Sequence, residues 1–125
     1  MVSVPGRKAG DDPEPDRAKA LDGFGRYAGP ATLILASLAD GAKHGYALTK
    51  DIESFAGVRL APATLYEALA RLQAQGLIEP VESHDRRRPY RLTAVGAATL
   101  RAQLDAQRHV ADVGLRRLAH GWGLA

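Results

Sequence analysis

Residues 62–93 read PATLYEALARLQAQGLIEPVESHDRRRPYRLT, and a change of period inside this stretch decides the fold. Over residues 62–75 the apolar positions Leu65, Leu69 and Leu72 recur at helical spacing, with Pro62 at the start and Gly76 as the C-terminal cap. On a helical projection Ala63, Glu67, Ala70 and Ala74 point the other way, flanked by Thr64, Tyr66 and Arg71. That outer face is small and smooth, which lets a helix approach a surface closely. After Gly76 the period falls to two. Residues 77–82 predict a strand, with Pro80 forcing an edge position or a distortion. Residues 83–89 form a polar turn, and 90–93 a returning strand with Tyr90 and Leu92 on one face. The result is a β-hairpin carrying Arg86, Arg87 and Arg88 at its tip.

Upstream, Pro30 opens a helix through Leu38 whose apolar stripe is Ala31, Ile34, Leu35 and Leu38, and Asp40-Gly41 stops it. A second helix is expected from His44 or Gly45 to Phe55, with Leu48, Ile52 and Phe55 on one face and Gly57 at its end. Downstream, Thr93 can cap a long helix over residues 94–120. Its stripe is Ala97, Leu100, Leu104, Gln107, Ala111, Leu115, Leu118 and Trp122. That stripe is too long to bury on so small a domain, so it is expected to pair with a copy of itself. Three short helices followed by a hairpin is the order of a winged helix-turn-helix. The expected fold class is mainly α with a small β-hairpin, plus a long C-terminal dimerisation helix. In such an arrangement the third helix fits the major groove of double-stranded DNA and the wing tip meets phosphates.

Length and composition agree with this. The chain has 125 residues, 46% hydrophobic and 25% charged, and no Cys. It is too short for a large multidomain enzyme. Without Cys it has no disulfide scaffold, Cys-ligated zinc, iron–sulfur cluster or thiol nucleophile. The expected organisation is a flexible tail over 1–25, a winged helix-turn-helix domain over 26–95 and a dimerisation helix over 96–125, with a short helix over 16–22 packing on a partner. The net charge of +3 only permits an anionic partner, and the local charge of the Arg run says more. No segment suits a membrane span or a signal peptide, so a cytoplasmic protein is expected.

Several short motifs together carry a resemblance. They are Ala39-Asp40-Gly41 with His44-Gly45-Tyr46, Ala61-Pro62-Ala63-Thr64-Leu65-Tyr66, Leu69-x-x-Leu72-x-x-x-Gly76-Leu77-Ile78, and Arg86-Arg87-Arg88-x-Tyr90-x-Leu92-Thr93-x-x-Gly96. Over roughly residues 30–118 the chain resembles the PadR family of bacterial transcriptional regulators. The resemblance implies a homodimer, a winged helix reading a palindromic operator, and a C-terminal helix used for dimerisation. It also implies a space between those helices and the DNA-binding core that can hold a small-molecule effector, which Trp122 could line. Three departures stand out. Ala61 replaces a polar cap, Glu67 replaces the usual Pro after Tyr66, and Ser83-His84-Asp85 replaces the common Gly before the Arg run. The Asp85-Arg86-Arg87 and Leu92-Thr93-x-x-Gly96 elements also resemble the wing of MarR-type regulators, which rank second because they lack the His-Gly-Tyr and Thr-Leu-Tyr elements.

The candidate DNA contacts are Lys43, Ala63, Thr64, Tyr66, Glu67, Arg71, Arg86, Arg87, Arg88 and Tyr90. The candidate dimer contacts are Leu100, Leu104, Ala111, Leu115, Leu118 and Trp122. Plainer readings stand beside these. The Arg run can be a solvated loop, with Asp85 pairing to one Arg. Tyr66 can be core, or can place its hydroxyl on a phosphate. Glu67 can form an ion pair with Arg71 or accept from a cytosine amino group. His44 is expected to cap or pack at the start of its helix, and Tyr46 to pack within the domain. The four His are too scattered for a metal site, and no cofactor is expected. A winged helix that docks a protein is the alternative to a DNA reader. Catalysis is disfavoured, because the chain has no phosphate loop, nucleophile elbow or paired carboxylates.

Overall fold

The computed structural model describes residues 29–84 and 86–125. The expected tail, the short helix over 16–22 and Asp85 lie outside the described residues. Among those described, the order is α1 (Pro30–Leu38), α2 (Gly45–Ala56), α3 (Pro62–Ala74), β1 (Ile78–Pro80), β2 (Tyr90–Leu92) and α4 (Ala94–Trp122). This is a winged helix-turn-helix with a long C-terminal helix.

Local chemistry accounts for the boundaries. Pro30 takes the first position of α1, where a missing N–H costs nothing. His44 caps α2, its Nδ1 accepting from the Ala47 N–H at 3.4 Å, and Gly57 ends the helix with φ 69°, a left-handed conformation that suits glycine. At the start of α3, Ala61 offers no side-chain cap and Pro62 compensates by being pre-set for the first turn. Thr93 caps α4, accepting from the Gly96 N–H at 3.0 Å.

β1 and β2 pair antiparallel with Ile78 opposite Leu92, Glu79 opposite Arg91 and Pro80 opposite Tyr90. The Arg91 Nε donates to Glu79 Oε2 at 2.8 Å across this register. The strands are shorter than the sequence pattern suggests: past Pro80 the Val81 N–H still donates to the Pro89 carbonyl at 2.9 Å, but Pro89 has no N–H to return the bond. On its other side Tyr90 exchanges two backbone hydrogen bonds with Lys43, at 2.9 and 3.0 Å. The segment before α2 thereby becomes a third, one-residue partner of the wing.

One core unites the helices. Ile34, Leu48, Ile52, Leu69 and Ile78 are its largest fully buried side chains, and Leu33, Leu38, Leu65, Leu72 and Leu100 complete the contact between α1, α3 and the first turns of α4. The one buried polar side chain among the described residues, Ser37, donates to Asp51 Oδ2 at 2.6 Å and so ties α1 to α2.

Three expectations are corrected here, those for Phe55, Tyr46 and Leu100. Phe55, placed on the inner face of α2 by its spacing, is 52% exposed. Val58 and Leu60 from the following turn are buried at that end of the core instead, which a helical period cannot register. Tyr46 lies on the solvent side, with the Lys50 ammonium 5.9 Å from its ring centroid. Leu100, expected at a dimer interface, is only 5% exposed, because the first two turns of α4 pack on α1. Tyr90, a candidate DNA contact, has its ring half-buried against the core and its backbone held by Lys43.

The N-terminal turns of α4 are joined tightly to the end of α3. A Cβ on Gly96 would stand 1.9 Å from the Leu77 carbonyl oxygen, so only glycine allows this approach. The Thr93 hydroxyl donates to the Gly76 carbonyl at 2.7 Å, and the Thr93 N–H to the Leu77 carbonyl at 3.1 Å. Past Leu100 almost every residue of α4 is exposed.

Candidate nucleic-acid interface

α3 divides as its sequence dictates. Leu65, Ala68, Leu69 and Leu72 are buried, while Ala63, Tyr66, Glu67, Ala70, Arg71 and Ala74 are exposed and Thr64 is half-buried. Glu67 and Arg71 are one helical turn apart, yet no ion pair joins them among the described residues. Tyr66 is 60% exposed, so the reading of it as core is corrected. Its phenol lies along the start of α2, with the hydroxyl oxygen 3.0 Å from where a Gly45 Cβ would stand. Gly45 therefore makes room for the Tyr66 side chain between the two helices of the helix-turn-helix.

The wing meets the same corner. Arg87 Nη1 lies 3.4 Å from His44 Nε2. With Nδ1 accepting from Ala47, a neutral ring carries its proton on Nε2 and cannot also accept from Arg87. The ring thus serves one of these two donors at a time. Arg87, His44, Gly45 and Tyr66 form a continuous chain of neighbours, which brings the wing, the N-terminus of α2 and the outer side of α3 onto one side of the molecule. Arg86 and Arg88 are exposed beside Arg87, and the loop around them curves over a hollow of about 690 Å³.

Lys43 does not join this strip with its ammonium. Nζ donates to the Ser37 carbonyl, at the end of α1, and to Asp40 Oδ1. The last carbonyls of a helix lack intrahelical donors, so a cation is well placed there. The Lys43 hydrogen bond and charge hold the Asp40 carboxyl below the usual carboxylate range. The Lys43 ammonium, expected at a phosphate, is engaged within the domain by Ser37 and Asp40.

A second hollow, of 390 Å³, is lined by Pro30, Leu33, Val58, Arg59, Leu60, Ala61 and Thr64. Trp122 is not among its lining residues. Leu104, Leu115, Leu118 and Trp122 are exposed along α4, as is Ala111. Among the described residues no group of three or more His, Asp or Glu could hold a metal ion, and no helix is long and apolar enough to cross a membrane.

A helix-turn-helix with an open third helix and an arginine-tipped wing defines the winged-helix class of nucleic-acid-binding proteins. The profile of the "Transcriptional regulator PadR-like family" matches residues 34–102, and the chain belongs to that family. It is 38% identical over 93 residues to the transcriptional regulator Rv3488 of Mycobacterium tuberculosis, covering 72% of this chain and 86% of that one. It is 50% identical over 68 residues to an uncharacterized 37.1 kDa protein in transposon TN4556 of Streptomyces fradiae, covering 54% of this chain and only 20% of that protein. Among solved structures, a PadR family regulator from Eggerthella lenta aligns with a TM-score of 0.65 at 30% identity, covering 82% of this chain and 90% of that one. A PadR family regulator from Clostridium difficile aligns with a TM-score of 0.65 at 26% identity, covering 71% and 97%. The protein is thus a transcriptional regulator of the PadR-like family.

Sequence reasoning missed two parts of this site. One is the His44–Arg87 contact, between residues 43 positions apart. The other is the role of Gly45 as a seat for Tyr66, which a glycine in sequence announces without naming what it accommodates.

Proposed function

We propose that this protein is a repressor that binds a palindromic DNA operator as a homodimer in the cytoplasm. The observation that supports DNA as the partner is the continuous strip from Arg87 through His44 and Gly45 to Tyr66. It puts a guanidinium, a helix N-terminus and a phenol hydroxyl beside the open face of α3. Guanidinium groups and helix N-termini both favour phosphate, and a helix with alanines on its outer face can enter the major groove. In this reading Arg86, Arg87, Arg88 and Tyr66 position the protein on phosphates, while Ala63, Thr64, Glu67 and Arg71 face the bases.

Homodimerisation is supported by the exposed apolar stripe Leu104, Ala111, Leu115, Leu118 and Trp122, which nothing among the described residues of one chain covers. An effector would bind in the space that a second copy of α4 closes against the domain.

The test is a DNA-binding titration on duplex from upstream of its own gene, at two or more salt concentrations. Affinity should fall steeply with salt. The triple change Arg86→Ala, Arg87→Ala and Arg88→Ala should lower affinity and reduce the slope of log K against log salt by about 0.9 for each phosphate that is no longer neutralised. Absence of binding at low salt on every duplex tried would overturn the DNA reading. An unchanged slope in the triple variant would remove the wing from it.

A further inference from the structure

We propose that Glu67 and Arg71 are the base-reading pair of α3, and that each operator half-site presents a cytosine to Glu67 and a guanine to Arg71, about two base steps apart. This rests on the DNA-binding reading and goes on to say which DNA is bound. The first observation is how little else the outer face offers. Ala63, Ala70 and Ala74 surround Glu67 with methyl groups, and Thr64 is half-buried. Glu67 and Arg71 are therefore the two long charged side chains on that face, with the exposed Gln73 and Tyr66 about 100–120° around the helix from Glu67.

The second observation is that both are exposed and neither forms an ion pair among the described residues, although an i,i+4 carboxylate and guanidinium can meet on a helix. Each keeps its hydrogen-bonding capacity for something outside the chain. An ionised carboxylate only accepts, and a guanidinium only donates. Against phosphates a carboxylate is repelled, so its place on a DNA-facing helix requires a donor opposite it. In the major groove the donors are the cytosine and adenine amino groups. Adenine sets its N7 acceptor beside the amino group, which repels a carboxylate, whereas cytosine shows the amino group alone. Arg71 matches the paired O6 and N7 acceptors of guanine. Four residues of helix advance about 6 Å, and one base step about 3.4 Å, which sets the spacing at roughly two steps.

The experiment selects from a random-sequence duplex pool with the full-length protein, and repeats this for Glu67→Ala, Glu67→Gln and Arg71→Ala. Both residues are exposed, so the variants should fold, and their thermal melts check this. The wild-type pool should be enriched in half-sites with cytosine and guanine about two steps apart. Glu67→Ala should lose the cytosine preference, keep the guanine, and bind unselected DNA more tightly because a repelling charge is gone. Glu67→Gln should change the preferred base from cytosine to adenine, since a carboxamide pairs with adenine N6 and N7. Arg71→Ala should lose guanine and keep cytosine. Each loss should measure about 5- to 150-fold in discrimination.

Cytosine retained by Glu67→Ala, or guanine retained by Arg71→Ala, would overturn the assignment of that residue. A wild-type pool that is captured but shows no enriched base would overturn the whole inference while leaving DNA binding intact. A pool that is not captured at low salt would overturn the DNA-binding reading and this inference with it.

Discussion

The two halves of α4 are one continuous helix with opposite surroundings. Its first two turns are clamped to the end of α3 and bury Gly96 and Leu100. From Arg101 onward nearly every residue is exposed, Leu115 at 62% and Trp122 at 59%. The apolar spacing is the same in both halves, so periodicity alone does not tell which part is core and which is exposed. The difference teaches that a stripe ends functionally where the domain beneath it ends. Here that is after Leu100, because α1 is only nine residues long.

The largest effect should come from contrasting Leu69→Ala with Leu115→Ala. Leu69 is 1% exposed, and its truncation should cost about 3 kcal/mol at any protein concentration. Leu115→Ala should act only through association, lowering the unfolding midpoint by an amount that depends on protein concentration. Thermal melts over a hundredfold concentration range separate the two. A concentration-independent loss for Leu115→Ala would break the comparison, because it would mean the free half is covered within one chain.

Next is Gly96→Ala. The added methyl would meet the Leu77 carbonyl at 1.9 Å, so the joint must shift, at a cost of about 2–3 kcal/mol. Gly114 lies in the exposed half with nothing within 4 Å of an added Cβ. Gly114→Ala should instead stabilise the helix by up to about 1 kcal/mol. Opposite signs from the same substitution in one helix would sharpen the contrast, and equal signs in chemical denaturation would erase it.

The smallest effect is Thr93→Val, which removes the cap of α4 and the bond to the Gly76 carbonyl. A loss of about 1 kcal/mol is expected, largely restored by Thr93→Ser. A loss that Ser does not restore would assign the effect to packing rather than to the hydroxyl.

Much of the fold is legible in the sequence because its signals are local. Pro30, Pro62, Gly57, Gly76 and Thr93 mark element ends by their own backbone or capping chemistry. Leu65, Leu69 and Leu72 announce a buried face by spacing. What is not legible depends on neighbours distant along the chain. Lys43 is spoken for by Ser37 and Asp40, Tyr90 by Lys43, and Phe55 is displaced from the core end where Val58 and Leu60 are buried. Leu100 belongs to the stripe by period and to the core by position. For the candidate site, the outer face of α3 and the Arg run are readable, whereas the His44 link between wing and helix is not.

The glycine-to-carbonyl contact at the root of α4 has a mechanical consequence. With Gly96 against Leu77 and Thr93 bonded to Gly76, the root is a fulcrum, and the helix beyond Leu100 is a lever arm of about 33 Å. A tilt of about 5° at the fulcrum displaces the far end by about 3 Å, close to one base step of DNA. Conversely, whatever grips the free end exerts its torque on the exit of α3, with no soft linker between them to absorb it.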